Sequence, residues 1–159
     1  MKRFVREFME HFTIGPTANQ FSVVVFNDVA REVFSLNRHF SLSDIQSAVM
    51  NVTYSGGGTS IGKALDYARL VSFTSSRGAA KIVILITDGQ SSISNEAQLL
   101  KDQNVTIFCI GVTTGIKEQL LRNVSTHNDY TNITDKFTTI SRIKAHVVEK
   151  SCADRMYNF

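Results

Sequence analysis

The sequence predicts an α/β fold: a doubly wound, mostly parallel open sheet with helices on both faces. Two observations carry this. Lys81-Ile-Val-Ile-Leu-Ile-Thr87 and Val105-Thr-Ile-Phe-Cys-Ile-Gly111 are continuous apolar runs of strand length, the kind covered on both faces of a parallel sheet. From the first of them onward, strand and helix patterns alternate, the order of βαβ crossovers. A chain of 159 residues, 43% hydrophobic and 19% charged, has the size and composition of one globular domain.

The elements follow in order. Met1 to Phe12 puts Phe4, Val5, Phe8, Met9 and Phe12 on one stripe and Lys2, Arg3, Arg6, Glu7 and Glu10 opposite, so the chain opens in an amphipathic helix. Thr13 to Asn19, with Gly15 and the only proline, Pro16, is a turn into a β-branched and aromatic strand, Phe21 to Asn27. A second strand, Glu32 to Leu36, pairs with it antiparallel through a turn at Asn27-Asp28. Ser43 is expected to cap a helix reaching Val49. Tyr54-Ser-Gly-Gly-Gly-Thr-Ser60 is a loop, because consecutive glycines contribute only backbone freedom. Further helices are expected at Ile61 to Val71, Ser94 to Gln103, Ile116 to Val124 and Phe137 to Lys150, with a short edge strand at Tyr130 to Ile133.

Charge and hydropathy exclude several classes. The net charge is +3, with no basic run longer than Lys2-Arg3, so nothing points to nucleic acid. The longest apolar stretch, Ile82 to Ile86, is far short of the roughly 20 residues of a membrane helix. No charged-then-apolar leader precedes Phe4, so no export signal is visible.

In an open parallel sheet, ligands collect at the carboxyl ends of the strands. Two loops are the candidates there: Gly56 to Ser60, and Asp88 to Ser92. A carboxylate from Asp88 and hydroxyls from Thr59 and Ser60 are hard oxygen donors suited to Mg²⁺. On spacing alone, Asp88-Gly89 is equally a plain turn, and Thr59-Ser60 equally a helix cap.

Gly56-Gly-Gly-Thr-Ser-Ile-Gly-Lys-Ala-Leu65 together with Ile82-Val-Ile-Leu-Ile-Thr-Asp-Gly-Gln90 closely resembles the von Willebrand factor type A domain, of the collagen VI and matrilin kind. Lys2-Arg-Phe-Val5, Val23-Val-Val-Phe26 and Ile107-Phe-Cys-Ile-Gly-Val112 add to the resemblance. It implies a metal-ion-dependent adhesion site holding Mg²⁺ or Mn²⁺, with Thr59 and Asp88 as ligands and Gly58, Ser60 and Gly89 shaping the loops around them. The family's Asp-x-Ser-x-Ser motif, expected at the end of a first central strand, is absent. The resemblance therefore implies a domain over residues 1–152 that is truncated at its N-terminus, followed by a tail at 153–159. Metal binding is then expected to be weak or absent, and the strands at Phe21 and Lys81 to have exposed edges.

A phosphate loop is the main rival, since Gly57 to Lys63 fits G-x-x-x-x-G-K. Position 64 is alanine, where that motif needs a hydroxyl, and no buried strand precedes Gly57. Nucleophilic catalysis has no support either: His11, His39, His127 and His146 have no motif linking them to Ser or Cys. Cys109, inside an apolar strand, reads as a small buried hydrophobe. Cys152 is unpaired, or paired outside this chain. Asn51, Asn104, Asn123 and Asn132 each begin a glycosylation sequon.

The expected role is a non-enzymatic, secreted interaction module of the extracellular matrix. Its partners would be collagen or other matrix proteins, or sister type A domains. The alternative is a structural, self-assembling matrix domain with no working metal site.

Overall fold

The computed structural model describes residues 1–53, 56–89, 91–112 and 117–134. The expected helix at Phe137 to Lys150, His146, Cys152, the tail at 153–159, Gln90 and the start of the glycine loop at Tyr54-Ser55 lie outside them. The chain divides into two compact units, residues 1–77 and 78–159.

In the first unit, helix α1 (Lys2–Met9) buries Phe4, Phe8 and Met9. Its apolar stripe continues into an aromatic row, with ring centroids 5.0 Å apart for Phe8 and Phe12 and 5.6 Å for Phe12 and Phe21. Strands β1 (Val23–Phe26) and β2 (Ala30–Phe34) form the expected antiparallel hairpin, with an irregularity between Val23 and Val24. Helix α2 (Leu42–Met50) is capped by Ser41 rather than Ser43: the Ser41 hydroxyl accepts the Asp44 N–H at 3.2 Å. A cap side chain reaches an N–H two or three residues on from the residue before the helix, and Ser43 is already inside the first turn. Met9, Phe34, Ile45 and Val49 form one core cluster of this unit, with Val5, Ile14, Phe21 and Val23 against it. Helix α3 (Ile61–Leu70) buries Ile61, Ala64 and Leu65.

In the second unit, β3 (Lys81–Thr87), β4 (Val105–Gly111) and β5 (Thr131–Ile133) form a parallel sheet in the order β3-β4-β5. Helices α4 (Glu96–Lys101) and α5 (Glu118–Val124) make the two crossovers. Between α4 and β4, Asn104 takes a positive φ of 56°, a conformation asparagine tolerates better than most residues. Strand β4 is central, and Val105, Ile107, Phe108, Cys109 and Ile110 are all buried. Phe108 stacks on Tyr130 with centroids 4.3 Å apart.

Strand β3 departs from the expected burial. Ile82, Val83, Ile84 and Ile86 are only half-buried, while Leu85 and Thr87 are buried. The reason is position: among the described residues β3 pairs only with β4, so it is shielded on one flank alone. Likewise, among the described residues β1 pairs only with β2, and all four of its residues are half-buried. Within its own unit each strand thus has one flank without a ladder partner among the described residues. Among the described residues, no helix is long and apolar enough to cross a membrane.

Burial pushes the Cys109 thiol up to about 12, only partly opposed by nearby Lys101. An unfolded thiol ionises near 9.0, so above that pH the unfolded chain sheds a proton the folded chain keeps. Stability from this group is therefore whole below pH 9.0 and lost as pH rises towards 12. In a Cys152→Ser background, native Cys109 should react with a thiol reagent only through unfolding, and rapid labelling in native buffer would contradict its burial. Between about pH 8 and pH 10, the drop in urea midpoint should be smaller in Cys109→Ala than in the parent.

Candidate functional site

The glycine loop lies in the first unit. Gly56 and Gly57 have positive φ, 54° and 105°. Three hydrogen bonds tie its described residues to the turn between β1 and β2. Asn27 Nδ2 donates to the Gly56 carbonyl at 2.7 Å, and the Ser60 N–H donates to the Asn27 carbonyl at 2.8 Å. Asp28 Oδ2 accepts the Gly58 N–H at 3.1 Å. Asn27 also braces its own turn, since its Oδ1 accepts the Val29 N–H at 3.0 Å.

Ser60 sits at the N-cap of α3, but its hydroxyl makes no capping hydrogen bond. Ser60 is thus the cap by position, its carbonyl accepting the Ala64 N–H at 3.2 Å, while its hydroxyl is not engaged in capping. Thr59 and Ser60 are both half-buried at the loop's end. Lys63, the lysine of the phosphate-loop mimic, gives its Nζ to the Asp28 carbonyl at 2.6 Å. It is a brace of the hairpin turn, not merely a solvated residue.

Asp88 lies in the second unit, exposed at the carboxyl end of β3. The turn it occupies is held by buried Thr87, whose Oγ1 accepts the Gly89 N–H at 3.2 Å. The Thr87 carbonyl accepts the Val112 N–H at 2.9 Å, tying the end of β3 to the end of β4. Beyond Asp88, a cleft of about 320 Å³ is lined by Ser91, Ser92, Lys117 and Leu120.

The Thr59 and Ser60 hydroxyls in the first unit and the Asp88 carboxylate in the second are each hard oxygen donors, and neither set alone offers the six or more that such ions take. Among the described residues, no group of three His, Cys, Asp or Glu side chains stands together. The residues that sequence reasoning missed are Asn27 and Asp28. They read there only as a turn, because their partners are some thirty residues away. No local pattern signals such a contact.

His11 and His127 are exposed, and His39 rests edge-on against Phe34 at 5.1 Å. The four sequons differ sharply. Asn51, Asn104 and Asn123 are exposed. Asn132 is half-buried, and its Nδ2, the atom a glycan would join, is buried without a hydrogen-bond partner among the described residues.

The family profile of the von Willebrand factor type A domain matches residues 1–146. The human collagen alpha-5(VI) chain is 32% identical over 159 residues, spanning 96% of this chain and 6% of the collagen chain. Mouse matrilin-1 is 30% identical over 162 residues, spanning 97% of this chain and 32% of matrilin-1. This chain therefore corresponds to a minor part of the length of either relative. Among solved structures, proximal thread matrix protein 1 from the mussel byssus, with a zinc-occupied MIDAS motif, superposes with a TM-score of 0.89 at 38% identity. That match covers 96% of this chain and 40% of the mussel protein.

Proposed function

This chain belongs to the von Willebrand factor type A family, and from that premise we propose that it is a non-enzymatic module through which an extracellular matrix protein holds protein ligands. The observation that carries the reading is the glycine loop, pinned at Gly56, Gly58 and Ser60 while the Ser60 hydroxyl is left out of helix capping. A loop held in a defined shape with hydroxyls to offer suits recognition better than hinge motion. Likeness to collagen VI, matrilin-1 and a byssal matrix protein supports the matrix setting and a secreted location.

In this reading Thr59 and Asp88 present oxygen donors to a divalent cation, Mg²⁺ or Mn²⁺, with Gly58, Ser60 and Gly89 shaping the backbone around them. When bound, the cation supplies an open position for a carboxylate of a protein ligand. With so few protein oxygens, affinity for the cation is weak.

Surface-immobilised collagen and other matrix proteins provide the test. The reading predicts retention of the chain that EDTA abolishes and that Asp88→Ala and Thr59→Ala each reduce. Retention insensitive to EDTA and to both substitutions would sink it. A second reading, an assembly domain without a working metal site, is favoured by the half-buried apolar edge of β3. It predicts concentration-dependent self-association in the ultracentrifuge, unchanged by EDTA.

A secreted module also makes a prediction about its sequons. Expressed through a secretory host, the chain should carry glycans at one or more of exposed Asn51, Asn104 and Asn123 and none at Asn132. Peptide mass spectrometry reads the sites, and an occupied Asn132 in folded protein would contradict the packing around β5.

A further inference from the structure

The turn between β1 and β2 does more than reverse the chain. Asp28 is gripped on both sides: its carboxylate takes the Gly58 N–H at 3.1 Å, and its carbonyl takes the Lys63 ammonium from the first turn of α3 at 2.6 Å. The glycines facing it are matched to that carboxylate. A Cβ on Gly58 would lie 2.5 Å from Asp28 Oδ1, and one on Gly57 would lie 2.9 Å from Oδ2. Real Cβ atoms do not approach so closely, so the Asp28 side chain fills the space that side chains on the loop would need.

Among the described residues, Thr59 has no such brace in the turn. It stands between two that do, since the N–H groups of Gly58 and Ser60 both end on the Asn27-Asp28 turn. Its backbone is thereby held on both sides. We propose that Asp28 is a positioning residue for Thr59, a latch from the hairpin turn that holds the glycine loop in the shape able to present its hydroxyl to a divalent cation. This rests on the cation reading above and adds the residue that sets the loop's geometry. Partners that orient a ligand, without touching the ion, are typically worth 10–100-fold in metal affinity.

The variants are Asp28→Ala, which removes the latch, and Asp28→Asn, which keeps an oxygen acceptor for the Gly58 N–H. Two measurements on the full chain separate the possibilities: ¹⁵N heteronuclear NOEs of Gly56, Gly58 and Thr59, and Mn²⁺ affinity by calorimetry. Urea midpoints confirm that the variants fold. Asp28→Ala should lower the loop NOEs and weaken Mn²⁺ binding about tenfold, and Asp28→Asn should restore both. Gly58→Ala, which displaces the carboxylate, should reproduce Asp28→Ala, and adding it to Asp28→Ala should cost little more.

Unchanged NOEs in Asp28→Ala would overturn the latch. An ordered loop in Asp28→Asn with Mn²⁺ affinity as poor as in Asp28→Ala would overturn it differently, by making the carboxylate a ligand. A parent chain that binds no Mn²⁺ overturns the cation reading, and the positioning role with it, whatever the loop NOEs do. The NOEs then report the latch separately, so the two failures are told apart.

Discussion

Replacing Phe108 with alanine lowers the stability of the second unit by about 3–5 kcal/mol. Phe108 is fully buried at the centre of β4 and stacks on Tyr130 at 4.3 Å. Its removal loses the transfer free energy of a large ring and leaves a cavity beside Tyr130, in a unit where Ile107, Ile110 and Leu121 are also fully buried. The stacked partner adds to the loss, since aromatic pairs contribute about 0.5–1.5 kcal/mol beyond their burial. Urea unfolding followed by circular dichroism measures it. A midpoint within error of the parent would mean that β4 is not the core of this unit. Phe40, which is 42% exposed, is the matched control: Phe40→Ala should shift the midpoint little.

Asn27→Ala has the second largest expected effect, about 1–3 kcal/mol, from losing two side-chain hydrogen bonds, one part-buried and one exposed. Its Nδ2 holds the Gly56 carbonyl at 2.7 Å and its Oδ1 the Val29 N–H at 3.0 Å, so one side chain ties the hairpin turn to the glycine loop. Ser22→Ala is the comparison: its hydroxyl also bonds across the hairpin, to Glu32 at 3.0 Å, but orders no loop. If Asn27→Ala costs no more than Ser22→Ala in urea, the turn is not the anchor of the loop.

Sequence periodicity reached the elements whose signals are local. The apolar runs at Lys81–Thr87 and Val105–Gly111 are β3 and β4 to the residue, because a strand's boundaries coincide with its apolar composition. Helix ends were less exact. The stripe from Phe4 to Phe12 continues past the last turn of α1 at Met9, and Phe12 keeps its aromatic contacts from outside the helix.

What periodicity does not encode is which strand lies beside which. Ile82 and Ile84 read as buried on both faces, yet sit half-buried because β3 has one partner among the described residues. The candidate site divides the same way. Thr59 and Asp88 were visible as motif residues in loops. The grip of Asn27 and Asp28 on those glycines was not, because it joins segments that only folding brings together.

Calorimetric titration of the chain with Mn²⁺ and Mg²⁺, beside Asp88→Ala and Thr59→Ala, tests the central claim most directly. The account predicts weak, saturable binding in the parent chain, lost in Asp88→Ala and reduced in Thr59→Ala, at urea midpoints that show all three folded. Binding that survives Asp88→Ala, or no binding in a folded parent, would contradict it and leave the assembly reading in its place.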